Sequence, residues 1–203
     1  KPNNLGPETA ASMAVMTDAV RRATGIPVGV NVLANGAIQA IAVAKAAGAA
    51  FVRVNQWSNA YVANEGLMDG PAGEAARYRA YLRARDIKIF ADVHVKHGAH
   101  AITGDRTIQE LARDNEFFDA DVAIATGQRT GDSARMDEID EIAGATHLPL
   151  LVGSGVTADN IVQILSRTNG VIVASSLKKG GVWWNPVEPE RVRRFVDEAQ
   201  AGL

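Results

Sequence analysis

The chain has 203 residues, a formal net charge of −2 at pH 7 and no cysteine. This length allows one sizeable hydrophobic core, so we expect a single domain over residues 1–203. The charge and the lack of a basic tract exclude the electrostatic pattern of a nucleic-acid-binding protein. No apolar run approaches the roughly 18 residues that span a bilayer, the first residues lack the pattern of a signal peptide, and the missing cysteines exclude disulfides and thiolate chemistry. We therefore expect a cytoplasmic protein.

Short apolar runs alternate with amphipathic segments along the whole chain. Apolar runs bounded by polar or glycine-rich residues predict buried strands, and helical periodicity predicts helices between them. In chain order, the predicted elements are a helix from Pro7, strand Val28–Leu33, helix Ala37–Ala47, strand Phe51–Asn55, helix Gly73–Arg85, strand Ile87–Lys96, helix Thr107–Asn115, strand Val122–Thr126, helix Ser133–Ala143, strand Leu148–Gly153, helix Thr157–Ser166, strand Gly170–Ser175 and helix Pro189–Ala201. The segment Gln56–Pro71 is long for a strand-to-helix turn and is interpreted as a lid.

This alternation is typical of a parallel sheet covered by helices. Such a sheet is either open and doubly wound or closed into a barrel. Six successive units of similar length favour the barrel, and no strand is followed by the glycine-rich motif of a dinucleotide site. We therefore predict an α/β fold, a (β/α)8 TIM barrel. Because a complete barrel usually has about 250 residues, we expect the first two strands, an N-terminal βαβ portion, to precede Lys1.

The third predicted strand carries three ionisable residues near its C-terminal end, where barrels place their active groups. Side chains two apart share a face of a strand, so Asp92, His94 and Lys96 are expected to point together into the barrel. Buried ionisable groups are costly unless they are paired or used. These residues therefore predict an active site, and a structural layer of salt bridges is the alternative. The neighbouring strands add three further polar candidates: Asn31, Arg53 and Asn55.

Several roles remain open within this predicted site. Asp92 or His94 is expected to transfer protons, and Lys96 is interpreted as an electrophile, a phosphate partner or a Schiff-base amine. Asp92, His94 and His97 are conceivable metal ligands. However, His94 and His97 fall on opposite faces of a regular strand, so no metal is predicted. No other cofactor is predicted either.

The loops after the last two strands have the composition of a phosphate site. Gly153-Ser154-Gly155 leads from a strand towards a predicted helix, where backbone N–H groups and the helix N-terminus attract an anion. Barrels often bind phosphate with these two loops. The predicted phosphate-binding residues are Gly153, Ser154, Gly155, Ser175, Ser176 and Lys178. Two ordinary turns, with Thr157 as a helix cap, are the alternative.

Several segments together resemble the BtpA/SgcQ family over essentially the whole chain. They are Val28–Asn35, Phe51–Asn55, Ala91–His97, Thr126-Gly127 with Thr130-Gly131, Leu151–Thr157, Gly170–Lys178 and the closing stretch from Trp184 to Arg194. The resemblance implies a barrel of the ribulose-phosphate-binding type, with phosphate held by the last two loops. It also implies a strand–helix–strand before Gly6, in agreement with the expectation above.

The resemblance and the polar strand ends lead to two main hypotheses. The first is an enzyme that acts on a sugar phosphate by isomerase- or aldolase-type chemistry, as implied by the family branch that accompanies bacterial sugar-uptake genes. The second is a non-catalytic biogenesis factor for a membrane complex such as photosystem I, with peripheral membrane association, as implied by the branch named for that role. A metal-dependent hydrolase built around Asp92 and His94 is a third hypothesis. We also expect a homo-oligomer, with Trp183-Trp184 as a candidate contact.

Overall fold

The computed structural model describes residues 5–127 and 133–202. The helices are α1 (Pro7–Thr24), α2 (Ala37–Ala47), α3 (Ala72–Tyr81), α4 (Ile108–Phe117), α5 (Met136–Ala143), α6 (Ile161–Leu165) and α7 (Pro189–Ala201). The strands are β1 (Gly29–Val30), β2 (Phe51–Val54), β3 (Ala60–Ala63), β4 (Gly66–Asp69), β5 (Lys88–Asp92), β6 (Val122–Ala125), β7 (Leu150–Val152) and β8 (Gly170–Val171). Short 3₁₀ turns lie at Ala101–Thr103, Ser175–Leu177 and Lys179–Gly181.

Six strands form one parallel sheet in the order β1-β2-β5-β6-β7-β8. Each strand of this sheet pairs with the next strand of the same sheet in chain order, so the order never reverses as it does in a doubly wound sheet. This sequential order is that of a barrel wall, and the described residues form a half-barrel with β1 and β8 at its edges. The predicted α/β class and the barrel-type order are therefore confirmed.

Apolar side chains on the outer face of the sheet form the core beneath the helices. Val52, Val54 and Ile89 alternate with inner-face residues and pack, fully buried, against side chains of α1–α3. A second cluster joins β6 and β7 to α4–α7. Burying a side chain of this size contributes about 1.5–3 kcal/mol. Because the outer face is thus committed to packing, the polar inner face is the one left for chemistry.

The third predicted strand is shorter than the sequence indicates. Its ladder ends at Asp92 rather than Lys96, although the Val93 N–H still donates to the Ile124 carbonyl at 3.0 Å. The regular alternation of faces therefore ends at Asp92. Lys96 still lines a cavity together with Arg53, the ion-pair partner of Asp92, whereas His94 lines a different cavity.

The segment interpreted as a lid is an antiparallel hairpin. Strands β3 and β4 pair from Ala60↔Asp69 to Ala63↔Gly66. Tyr61 and Met68 are buried on it against Val95. Just before the hairpin, Trp57 is also buried, and its indole N–H donates to the Phe118 carbonyl at 3.0 Å. These packed side chains hold the segment against the barrel, and its role as a lid stays a prediction.

The helix after the glycine-rich loop also begins later than predicted. α6 starts at Ile161, and Thr157 is not its cap, because the Thr157 backbone N–H donates to the Asn160 side chain at 2.8 Å. With only five residues, α6 supplies little helix dipole to the loop. Any anion at Gly153–Gly155 would therefore depend on backbone N–H groups and side chains.

Candidate active site at the carboxyl ends of the strands

Four predicted site residues form one hydrogen-bonded network on the inner face of β1, β2 and β5. Arg53 donates to both carboxylate oxygens of Asp92, from Nε at 2.9 Å and from Nη2 at 3.0 Å. Asn55 donates a third hydrogen bond to the same carboxylate at 3.1 Å. Asn31 donates to the Arg53 carbonyl at 2.9 Å and to the Asn55 side chain at 3.3 Å. The structure thus brings together residues from three strands that the alternation pattern places on one face.

The hydrogen bonds of this network determine whether Asp92 or Arg53 is able to contact a ligand. The Asp92 side chain is fully buried, whereas that of Arg53 keeps 19% of its surface exposed. Both Asp92 oxygens accept from Arg53 or Asn55, and the Asn115 side chain holds the Asp92 carbonyl at 3.1 Å. A bidentate pair of this kind orients the guanidinium strongly. Asp92 is therefore arranged to position Arg53 rather than to meet a ligand itself.

A cavity of about 340 Å³ lies beside this network, between the last two loops. It brings together predicted catalytic and predicted phosphate-binding residues. Its lining includes Arg53, Lys96, Gly153, Ser154, Gly155, Ser175, Ser176 and Arg191. Within residues 5–127 and 133–202, the charged side chains that line it are three cations and no carboxylate. The cavity is therefore suited to an anionic ligand.

Gly153 allows Arg53 to lie close to the glycine-rich loop. A Cβ at Gly153 would stand 3.6 Å from Nη2 of Arg53 and only 2.9 Å from a methyl group of buried Ile124. Gly155, two residues on, has a φ of +62°, a conformation that glycine adopts without strain. The two glycines thus let the backbone approach the polar network and turn sharply away from it.

Side chains tie the two loops to each other. The Ser176 hydroxyl donates to the Val156 carbonyl at 2.7 Å, and Arg191 of α7 donates to the Ser176 carbonyl at 3.2 Å. Arg191 also pairs with Glu188 at 2.7 Å. Ser175 and Ser176 therefore line the cavity on a braced loop, and Arg191 adds a cation that strand patterns alone do not reveal. The one sequence signal for Arg191 is its place in the closing stretch of the family resemblance.

Lys178 does not line this cavity. Its ammonium group donates to the Trp183 carbonyl instead. The sequence groups Lys178 with Ser175 and Ser176 because it follows them on the chain. The chain does not stay extended after β8, because 3₁₀ turns form at Ser175–Leu177 and Lys179–Gly181. The Lys178 side chain therefore lies away from the cavity.

Lys96 is half-buried in the cavity wall. Burial lowers the pKa of Lys96 below its ordinary value, the nearby Arg53 charge lowers it further, and Asp92 opposes both effects. Desolvation and a like charge both disfavour an ammonium ion. Lys96 is thus the side chain of this cavity whose proton is most easily lost.

His94 lies in a different place from the one predicted. It lines a second cavity of about 550 Å³, together with His100, Arg106 and Arg135. Its Nδ1 is 3.8 Å from a carboxylate oxygen of Glu138. The structure thus separates His94 from Lys96, because the chain leaves the β5 ladder after Asp92. Burial lowers the pKa of His100, whose Nε2 is 2.8 Å from the Val95 carbonyl.

The described residues also bear on the metal hypothesis, on the segment after Thr126 and on membrane crossing. Among the described residues, no group of three His, Asp or Glu side chains has the arrangement of a metal site. The Thr126 hydroxyl donates to the His94 carbonyl at 2.9 Å. Residues 128–132, which include Thr130-Gly131 of the family resemblance, lie outside the described residues. In the described parts of the chain, no helix combines the length and hydropathy needed to cross a membrane.

Comparison with known sequences gives a family and related proteins. A family model described as "BtpA family" matches residues 2–201. An uncharacterized protein of Archaeoglobus fulgidus is 40% identical over 196 residues, which cover 97% of this chain and 76% of that protein. The photosystem I biogenesis protein BtpA of Synechocystis is 36% identical over 200 residues, covering 98% of this chain and 69% of that protein.

Comparison with solved structures gives phosphate-handling barrels as neighbours. Thiamine phosphate pyrophosphorylase from Pyrococcus furiosus matches with a TM-score of 0.64 and 16% identity, covering 98% of this chain and 81% of the other. The 3-hexulose-6-phosphate synthase from Salmonella typhimurium matches with a TM-score of 0.64 and 13% identity, covering 94% and 81%. At such low identity the likeness establishes the fold and not the activity.

Proposed function

The chain belongs to the BtpA family, and we propose that it is an enzyme that binds a phosphorylated small molecule and acts on it by isomerase- or aldolase-type chemistry. The single observation that carries this proposal is the cavity between the last two loops. It combines glycine- and serine-rich backbone with Arg53, Lys96 and Arg191. Backbone N–H groups and oriented guanidinium groups are the usual partners of phosphate.

The cavity also supports a small substrate. Its volume of about 340 Å³ lies near the lower end of the range of about 300–1,000 Å³ that ligand pockets usually have. The apolar side chains of Val156, Ile172 and Val173 line part of it. A sugar phosphate of a few carbons offers both an anion for the loops and a short carbon chain for the apolar wall. The barrel enzymes that share the fold, named above, have phosphorylated compounds in their own names.

Titration calorimetry tests the phosphate-binding part of this proposal. Ribose 5-phosphate and inorganic phosphate are expected to bind, whereas ribose is expected to bind far more weakly because it lacks the anion. Arg191→Ala removes one cation from the lining, so we expect phosphate to bind several-fold to about tenfold more weakly. Lys179→Ala is the matched control, since Lys179 is exposed and does not line the cavity. Equal affinities for all three proteins would contradict the proposal.

A second candidate function is that of a biogenesis factor for a membrane complex. One observation favours it besides the name of the Synechocystis relative. Helix α1 exposes an apolar stripe with helical spacing, formed by Val15, Met16, Ala19 and Val20. In this case Val15→Glu with Met16→Glu is expected to abolish accumulation of the partner complex while phosphate affinity stays unchanged. If the double variant supports normal accumulation, this candidate function is wrong.

A further inference from the structure

Lys96 is an amine with no direct partner among residues 5–127 and 133–202, in a cavity that two arginines also line. Among the described residues, none forms a hydrogen bond or an ion pair with its side chain. The buried carboxylate of Asp92 does not serve as that partner, because Arg53 and Asn55 occupy both of its oxygens. A half-buried ammonium group beside a guanidinium group is unfavourable unless it binds an anion or loses its proton.

The surroundings ease the loss of the Lys96 proton relative to an ordinary lysine. Arg53 keeps its positive charge, since guanidinium groups are not deprotonated in proteins. Arg53 is also held in place by its two hydrogen bonds to Asp92, so it remains next to Lys96. Burial and this fixed charge together lower the pKa of Lys96. A neutral lysine amine is a nucleophile towards carbonyl carbon, and lysines activated in this way form Schiff bases.

We propose that the Nζ of Lys96 forms an imine with the carbonyl carbon of a phosphorylated aldehyde or ketone whose phosphate lies at the loops of residues 153–155 and 175–176. This inference rests on the proposed function and names its substrate class. Lys96 and both loops line the same cavity of about 340 Å³. A phosphate held at the loops therefore leaves a short carbon chain within the same space as the amine.

The chemical step is balanced without a further reactant. The nitrogen lone pair attacks the carbonyl carbon, the C–N bond forms, and the electrons of the C=O π bond move to oxygen, which is protonated to a carbinolamine. The carbinolamine then loses its hydroxyl group as water, and the two hydrogens of the neutral amine leave with the carbonyl oxygen. Protonation of the imine gives an iminium ion. This ion accepts electrons from the adjacent carbon, as both isomerisation and aldol cleavage require.

Reductive trapping tests this inference on the whole protein. The protein is incubated with sodium cyanoborohydride and, in separate samples, glyceraldehyde 3-phosphate, dihydroxyacetone phosphate or unphosphorylated glyceraldehyde. Modified lysines are then located by peptide mass spectrometry. We expect at least one of the phosphorylated probes to label Lys96 faster than any other lysine, by about tenfold for each unit that its pKa lies below the ordinary lysine value. Inorganic phosphate in excess is expected to protect it.

Two variants separate imine formation from simple charge pairing. Lys96→Arg keeps a cation but forms no imine, so we expect it to retain binding of inorganic phosphate and to lose the adduct. Lys179→Arg is the matched control and is expected to label at Lys96 as the wild type does.

The trapping and binding experiments each support or overturn the inference. Preferential labelling of Lys96 by a phosphorylated probe supports the inference. Phosphate binding without labelling of Lys96, or labelling of Lys45, Lys88 and Lys179 to the same extent, overturns the inference and leaves the proposed function standing. If neither phosphate nor ribose 5-phosphate binds, the proposed function fails and the inference fails with it.

Discussion

Asp92 and Arg53 form a buried ion pair between β5 and β2, and Asn31 extends the network to the end of β1 through hydrogen bonds. The Asp92 carboxylate is fully buried and accepts three hydrogen bonds, two of them from Arg53. A buried charge is tolerated only when its partners satisfy it. Arg53 in turn reaches the cavity, where its exposed part is available to a ligand. In the proposed function, Asp92 positions Arg53, and Arg53 contacts the substrate.

Replacing Asp92 with Asn is expected to lower the free energy of unfolding by about 1–3 kcal/mol, because the guanidinium group loses its charged acceptor while an amide N–H meets the donors of Arg53 and Asn55. Urea denaturation measures the change. The control is Asp137→Asn, which breaks an exposed ion pair with Arg135 and should change stability by less than about 0.5 kcal/mol. Equal effects of the two substitutions would show that the buried network contributes nothing specific.

Lys96 gives the protein a pH-dependent stability of predictable sign. Its pKa is lowered in the folded protein, so the unfolded chain binds more protons between the folded value and the ordinary value of 10.5. The free energy of unfolding therefore rises with pH across that window. Below the window, the charged Lys96 destabilises the folded protein by its full amount. Lys96→Met removes this titration. We expect the advantage of the variant over the wild type to be largest below the folded pKa of Lys96 and to shrink as pH approaches 10.5.

Denaturant unfolding at several pH values measures this trend. Lys179→Met serves as the control, because Lys179 is exposed and removed from the cavity. A stability difference between Lys96→Met and wild type that is the same at every pH would contradict the assignment of a lowered pKa to Lys96.

Most inner-face residues of the candidate site are predictable from the sequence, whereas Arg191 on α7 is not. Two-residue alternation is strict on short parallel strands, so Asn31, Arg53, Asn55 and Asp92 follow from pattern alone. Arg191 lies on a helix, and its place in the site depends on how α7 packs against the last loops. Such packing is a property of the whole fold and has no local signal.

At the scale of elements, the sequence predicts which segments are strands and helices better than where they end. The strand ending at Asp92 shows why. Val93 and Val95 continue the apolar alternation of the strand, but Val95 packs against the hairpin residues Tyr61 and Met68. Burial against a separate element produces the same pattern as burial on a sheet, so the pattern alone extends the strand too far. The same effect groups His94 with Asp92 and Lys96 in the prediction, whereas in the structure His94 lines a different cavity from Lys96.

The loops after β7 and β8 show the opposite case. Their glycines and serines are identifiable from composition, and the structure places Gly153–Gly155 and Ser175–Ser176 around one cavity. The helix expected to support the first loop starts at Ile161 rather than Thr157, because Asn160 turns back to bind the Gly155 carbonyl and the Thr157 N–H. Loop composition thus predicts which loops line this cavity, and side-chain hydrogen bonds determine the conformation of the first loop.

At the scale of the whole molecule, sequential parallel pairing explains how residues distant in the chain meet. Each βα unit adds a strand beside the previous one, so the carboxyl ends of β2, β5, β7 and β8 lie at one edge of the sheet. The six strands of the parallel sheet agree with the predicted barrel type, and the two further barrel strands expected before Lys1 stay a prediction from the sequence. Trp183 and Trp184 are exposed, and their role as a contact between subunits also stays a prediction.

A crystal structure of the protein with bound ribose 5-phosphate tests the central claim most directly. We expect a phosphate group between the loops of residues 153–155 and 175–176, near Arg191, with the sugar directed towards Arg53 and Lys96. A phosphate group in the cavity lined by His94, Arg106 and Arg135 instead, or none at the two loops at saturating ligand, would contradict it.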